Sequence, residues 1–174
     1  TMTNVVALCK AVDMIQNLSI QITFRTTTNN NPYIVMAYDS KIDKFSKIKQ
    51  MFPYLTANGT TPEGLCYEAI MKNFLGSTND MDSYFLNISD GEPYFGNSEL
   101  YYSGDIAFDH TRKMVKQIEG MGIKTLSYYV EQWVNSGDEP SRGFKIMYGK
   151  SAKLIDITNV SQITKTINQL FLSK

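Results

Sequence analysis

The sequence predicts an α/β fold, a mostly parallel sheet with helices on both faces. Two observations carry that prediction. Segments of period-two or continuous apolar character alternate with segments of helical period along the chain. The most apolar strand, residues 84–89, ends abruptly at Asp90-Gly91, as a buried parallel strand does when it feeds a loop. At 174 residues the chain suits a single domain with one core, and it reads without internal repeats or an interdomain linker.

In chain order, Val5, Leu8, Cys9, Val12 and Ile15 lay one apolar stripe along a helix. Leu18, Ile20, Ile22 and Phe24 then alternate with Ser19, Gln21, Thr23 and Arg25, which is a strand over 18–25. The Asn-rich stretch 26–32, closed by Pro32, reads as a turn into a strand over 33–38, giving an antiparallel hairpin at a sheet edge. A short helix is expected over 43–54. The loop 58–62 leads into a helix whose first turn suits Pro62, which Thr61 is placed to cap, and whose buried face is Leu65, Ala69, Ile70 and Phe74, with Gly76 as its stop. After the strand 84–89 comes a Tyr-rich stretch, 92–105, then a helix over 106–119, the punctuation Gly120-Met121-Gly122 and a strand over 123–130. Residues 136–140 read as a loop and 152–157 as a last strand. Val160, Ile163, Ile167, Leu170 and Phe171 stripe a final helix, against which Trp133 is expected to pack. Five strands are expected to share one sheet.

Charge and composition exclude several classes of function. The 17 basic and 17 acidic residues leave no net field to recruit nucleic acid or anionic lipid. No run of about 18 apolar residues occurs, and residues 1–10 lack the blocks of a signal peptide. Cys9 and Cys66, the only cysteines, fall on apolar helix faces, where a thiol behaves as a small hydrophobe rather than half of a disulfide. Of four glycosylation sequons, at Asn17, Asn58, Asn87 and Asn159, that of Asn87 lies in a core strand where no glycan fits. A cytoplasmic protein of bacterial or viral, including phage, origin is the expectation.

Two segments carry the chemistry, Asn58-Gly59-Thr60-Thr61-Pro62-Glu63-Gly64-Leu65 and Leu86-Asn87-Ile88-Ser89-Asp90-Gly91-Glu92-Pro93. They resemble the second and third segments of the metal-ion-dependent adhesion site of the von Willebrand factor type A domain family, where a Thr in a Gly-rich loop precedes a helix and an Asp ends a central strand. The resemblance extends over the order of elements along the chain. It is closest to the intracellular branch containing cobalt-chelatase-type and AAA+-associated domains. It implies a doubly wound, Rossmann-like sheet. On this pattern the metal ligands are Thr61, with Thr60 as a one-position alternative, and Asp90.

The family's first segment, Asp-x-Ser-x-Ser at the end of a first strand, would have to precede the helix that begins near Thr3. The first central strand is therefore expected to be absent from this chain. A hard cation such as Mg²⁺, or Mn²⁺ or Ca²⁺ in its place, takes about six or more oxygens. With only Asp90 and Thr61 supplied, weak binding, no better than about millimolar, is expected.

Tyr94, Phe95, Tyr101 and Tyr102 follow Asp90 closely. They read either as a partner-binding rim around the metal face or as a cap over the sheet end. Glu92 reads as a solvated residue near Asp90. His110, the sole histidine, stands without a His or Cys cluster in sequence, so it reads as a solvated helix residue and not as a zinc ligand. No phosphate-cradling Gly-rich motif is present.

Two classes of function follow. One is a non-catalytic module that uses a bound divalent cation to hold an Asp or Glu of a partner protein, with a chelatase-like or AAA+-partner complex, the latter with an AAA+ ATPase, as the concrete version. The alternative is a metal-dependent enzyme acting on a small substrate at the same sheet end, with Asp90 as ligand or general base.

Overall fold

The computed structural model describes residues 5–6, 9–10, 14, 17–29, 31–54, 59–130 and 141–155. The chain divides into two compact units, Thr1–Gly59 and Thr60–Lys174.

In the first unit Val5, Val6, Cys9 and Lys10 are helical, on the apolar stripe that predicts a helix there. Strands β1 (Gln21–Thr28) and β2 (Asn31–Asp39) form an antiparallel hairpin. The hairpin is tighter than the sequence suggests, because Thr26, Thr27 and Thr28 pair with Tyr33, Pro32 and Asn31 instead of forming a long turn. Three β-branched residues in a row favour extended backbone. Asn29 takes a positive φ of 50° for the reversal. Pro32 is tolerated because both strands of a two-stranded ribbon are edges. Helix α1 (Phe45–Met51) continues into a 3₁₀ turn, Phe52–Tyr54. Its approach is anchored by Asp43, which accepts the Asp39 N–H at 2.9 Å and the Lys47 ammonium at 2.7 Å. Cys9, Ala37, Tyr38 and Ile48 form this unit's core, with Ile20, Ile22 and Phe24 packed on it.

The second unit runs α2 (Glu63–Ile70), β3 (Tyr84–Ser89), β4 (Phe95–Gly96), β5 (Tyr101–Tyr102), α3 (Gly104–Gly120), β6 (Lys124–Val130), α4 (Arg142–Tyr148) and β7 (Ala152–Ile155). A mixed α/β fold is thus present, but not as one five-stranded sheet. β3, β6 and β7 form a parallel sheet in that spatial order, while β1–β2 and β4–β5 are separate antiparallel pairs. Each hairpin strand satisfies its inner backbone groups on its own partner. β6, not β3, is the middle strand of the three described.

Alternation along β3 and β6 sorts the core into two faces. Phe85, Tyr129 and Ala152 pack with Tyr67, Val115, Ile118, Phe144 and Met147 beneath the helices. Leu86, Ile88, Leu126, Tyr128 and Val130 make an apolar cluster of their own, the alternate residues of the same two strands. Helix α4 is an addition to the expected elements, and Ser141 caps it by accepting the Phe144 N–H at 3.2 Å. Trp133, the 136–140 loop, residues 156–157 and the helix expected over 160–171 lie outside the described residues, as does most of the one over 5–15. No helix among the described residues is long and apolar enough to cross a membrane.

Candidate functional site at the carboxyl end of the parallel sheet

β3 and β6 run in parallel register from Tyr84–Lys124 to Ser89–Tyr129, so Asp90 emerges at the carboxyl end of the sheet. The turn that presents it is built locally. Ser89 Oγ accepts the Gly91 N–H at 3.0 Å, and Asp90 Oδ1 accepts the Glu92 N–H at 3.3 Å. Gly91 has φ +79°, and a Cβ there would stand 3.0 Å from the Tyr129 ring and 3.2 Å from that of Phe144. Only glycine fits both the backbone and the space. Asp90 and Glu92 are exposed.

Thr61 is half-buried, immediately before α2. It does not cap that helix as the sequence suggests, since Pro62 occupies the capping position and no side-chain cap bond forms. Instead the Thr61 carbonyl accepts two N–H groups, from Glu63 at 3.1 Å and from Tyr94 at 3.2 Å. The second bond joins the loop after Asp90 to the loop before α2. Thr60 is exposed.

Below these loops lies a buried polar group that sequence reasoning missed. The Tyr148 hydroxyl donates to Glu63 Oε2 at 2.8 Å and accepts from Asn87 Nδ2 at 2.9 Å, with the Tyr67 hydroxyl 2.7 Å away. Because the one proton of Tyr148 goes to Glu63, Tyr67 is the donor in the last contact. Glu63 is 1% exposed. A carboxylate so deeply buried requires hydrogen-bond donors, and its place in the first turn of α2 adds the favourable end of the helix dipole. Glu63 is two residues past Thr61 and Asn87 three before Asp90, so Tyr148 ties together the two elements from which the candidate ligands project.

The four aromatic residues of the next loop separate by the alternation of a hairpin. Phe95 and Tyr102 pair across β4–β5 and are buried with Ala107, against which the half-buried Leu65 packs. They cap the core and offer no rim. Tyr94 and Tyr101 remain exposed, their rings edge to face at 6.0 Å. His110 is half-buried, not solvated, between the Tyr102 hydroxyl, 3.1 Å from Nδ1, and the Glu68 carboxylate, 3.5 Å from Nε2. Burial raises the Tyr102 phenol above its ordinary range, against the lowering effect of the Thr111 hydroxyl and the Gly64 backbone. Gly64 is what lets α2 approach so closely, since a Cβ there would collide with the Tyr102 hydroxyl and stand 2.8 Å from His110 Nδ1.

In kind, a carboxylate and a hydroxyl suit a hard divalent cation, but two side chains fill only part of its shell. Among the described residues no group of three or more His, Cys, Asp or Glu could hold a metal ion. Compared with known proteins, the chain matches no family model, and no curated protein is significantly similar to it.

Proposed function

We propose that the carboxyl end of the β3–β6–β7 sheet is a divalent-cation-dependent protein-binding site of the von Willebrand type A kind, on a doubly wound fold. The observation that carries this reading is the Tyr94 N–H bond to the Thr61 carbonyl, which puts the Thr-Pro loop against the loop that follows Ser-Asp-Gly. In the proposal Asp90 supplies the anionic oxygen and Thr61 a hydroxyl, to Mg²⁺ or to Mn²⁺ or Ca²⁺. The cation supplies the positive charge that an Asp or Glu of the partner needs. Tyr94 and Tyr101 pack around that contact, and the buried Tyr148 group keeps the two loops in register. A partner of the AAA+ ATPase class and a cytoplasmic setting belong to the same proposal. Cys9 and Cys66, both buried thiols outside any disulfide, and the buried Asn87 sequon support that setting.

Calorimetric titration with Mg²⁺ and Mn²⁺ tests the reading. Weak binding, about millimolar, that is lost in Asp90→Ala is the expected result. Tight binding insensitive to Asp90→Ala would place the metal elsewhere. Turnover of phosphoesters with Mn²⁺, abolished in Asp90→Ala, would replace the binding module by the enzyme.

A further inference from the structure

The β4–β5 hairpin and the first turn of α3 expose four large apolar side chains within a short stretch of chain. Tyr94 is 41% exposed, Leu100 42%, Tyr101 67% and Ile106 68%. Four such side chains close together in sequence differ from the scattered exposed apolar residues of any surface. The aromatic pair is held in place. Asn97 Oδ1 accepts the N–H groups of Glu99 and Leu100 at 2.9 and 2.7 Å, closing the turn. Gly96, opposite Tyr101 in the ladder, leaves room for Tyr94, whose hydroxyl lies 3.1 Å from where a Cβ would be. Rigid tyrosines offer contact area at low entropic cost.

The stretch of chain that carries these residues is acidic, with Arg112 and Lys113 following it on α3. From residue 73 to residue 111 the chain has seven Asp or Glu and no Lys or Arg. Asp90, Glu92, Glu99 and Asp105 are all exposed around the hairpin. Among the described residues none of the four is ion-paired. Their summed field repels anions and draws cations, and exposed tyrosine faces are themselves cation acceptors.

We propose that the exposed Tyr94–Tyr101 pair, with Leu100 and Ile106 close to it in sequence, docks a Lys- or Arg-bearing segment of a partner protein. Long basic side chains suit it in both parts, with aliphatic stems on Leu100 and Ile106 and charged heads over the tyrosines and among the carboxylates. The inference rests on exposure and charge, not on the cation site, and it requires no metal.

The test is a nuclear magnetic resonance titration of the chain in EDTA, using a short capped peptide of alternating Arg and Leu and the same peptide with Glu for Arg. The Arg peptide should shift the amides of Gly96, Leu100, Tyr101 and Ile106, more strongly at low salt. Tyr101→Ala should weaken it by about two- to fivefold, and Glu99→Lys should weaken it as well, with the spectra beyond the hairpin unchanged because both side chains are exposed. Equal or stronger shifts with the Glu peptide would overturn the proposal. So would Arg-peptide shifts confined to other surfaces, an unaffected affinity in Tyr101→Ala, or hairpin shifts that follow protein concentration without peptide, which would assign the face to a second copy of this chain. Failure of the cation reading leaves this experiment unchanged, since it is done without metal.

Discussion

Tyr148 shows how one hydroxyl can be needed by several elements at once. Its oxygen donates to Glu63 on α2 and accepts from Asn87 on β3. Tyr148→Phe keeps the ring packing but removes one hydrogen-bond partner from each of the buried Glu63, Asn87 and Tyr67, and the loss of such buried bonds costs about 1–3 kcal/mol. Urea unfolding should show that loss, and a change within a few tenths would mean that Glu63 and Asn87 find other partners. None of this is readable from sequence, where Glu63 is an ordinary first-turn acid beside Pro62 and its partner stands 85 residues away. Gly64 makes the converse point. Gly64→Ala should cost about 1–3 kcal/mol through overpacking against Tyr102 and His110. Gly120→Ala, in a helix and open to space, should stabilise by up to about 1 kcal/mol. Equal effects of the two, read by thermal unfolding, would refute the contact argument.

At the scale of elements, legibility followed local strength of signal. β3 lies where its apolar run places it, because a run of large apolar residues packed on both sides of a sheet writes its limits into composition. The Ser-Asp-Gly turn was legible for the same reason, being specified by its own side chains and by the positive φ of Gly91. Helix α4 was not. It has seven residues, and Phe144, Met147 and Tyr148 mark barely two turns of apolar stripe. Its stability therefore leans on its cap and its packing. Ser141→Ala removes the acceptor for the Phe144 N–H and should cost about 1 kcal/mol, whereas Ser141→Asp should restore most of it. Hydrogen exchange at the Phe144 amide is the direct readout. The β4–β5 hairpin was equally hidden, since two-residue strands carry too little alternation to separate Phe95 and Tyr102, which are core, from Tyr94 and Tyr101, which are surface.

For the whole molecule the balance of 17 basic and 17 acidic residues means that stability against pH is decided by particular groups and not by net repulsion near neutrality. On the acid side, the hydrogen bond from Lys47 and that from the Asp39 backbone hold the Asp43 carboxyl below its ordinary range. Its contribution is present above the unfolded value and is lost as pH falls through the depressed folded value. On the alkaline side burial pushes the Cys9 thiol up to about 11 from an ordinary value of 9.0. Below pH 9 both states keep the proton and the group is silent. Above it the unfolded chain ionises first, so stability should fall with pH until about 11. Tyr102, raised by burial from 10.0, adds to the fall at the upper end of that range. Urea midpoints measured from pH 3 to pH 11 should therefore show a plateau with two flanks. Cys9→Ala should flatten the descent that begins near pH 9, and Tyr102→Phe only the part above pH 10, whatever either does to stability at neutral pH. An alkaline descent with the same slope in Cys9→Ala would show that the thiol of the native chain is open to water, and rapid alkylation of native Cys9 at pH 8 would show the same.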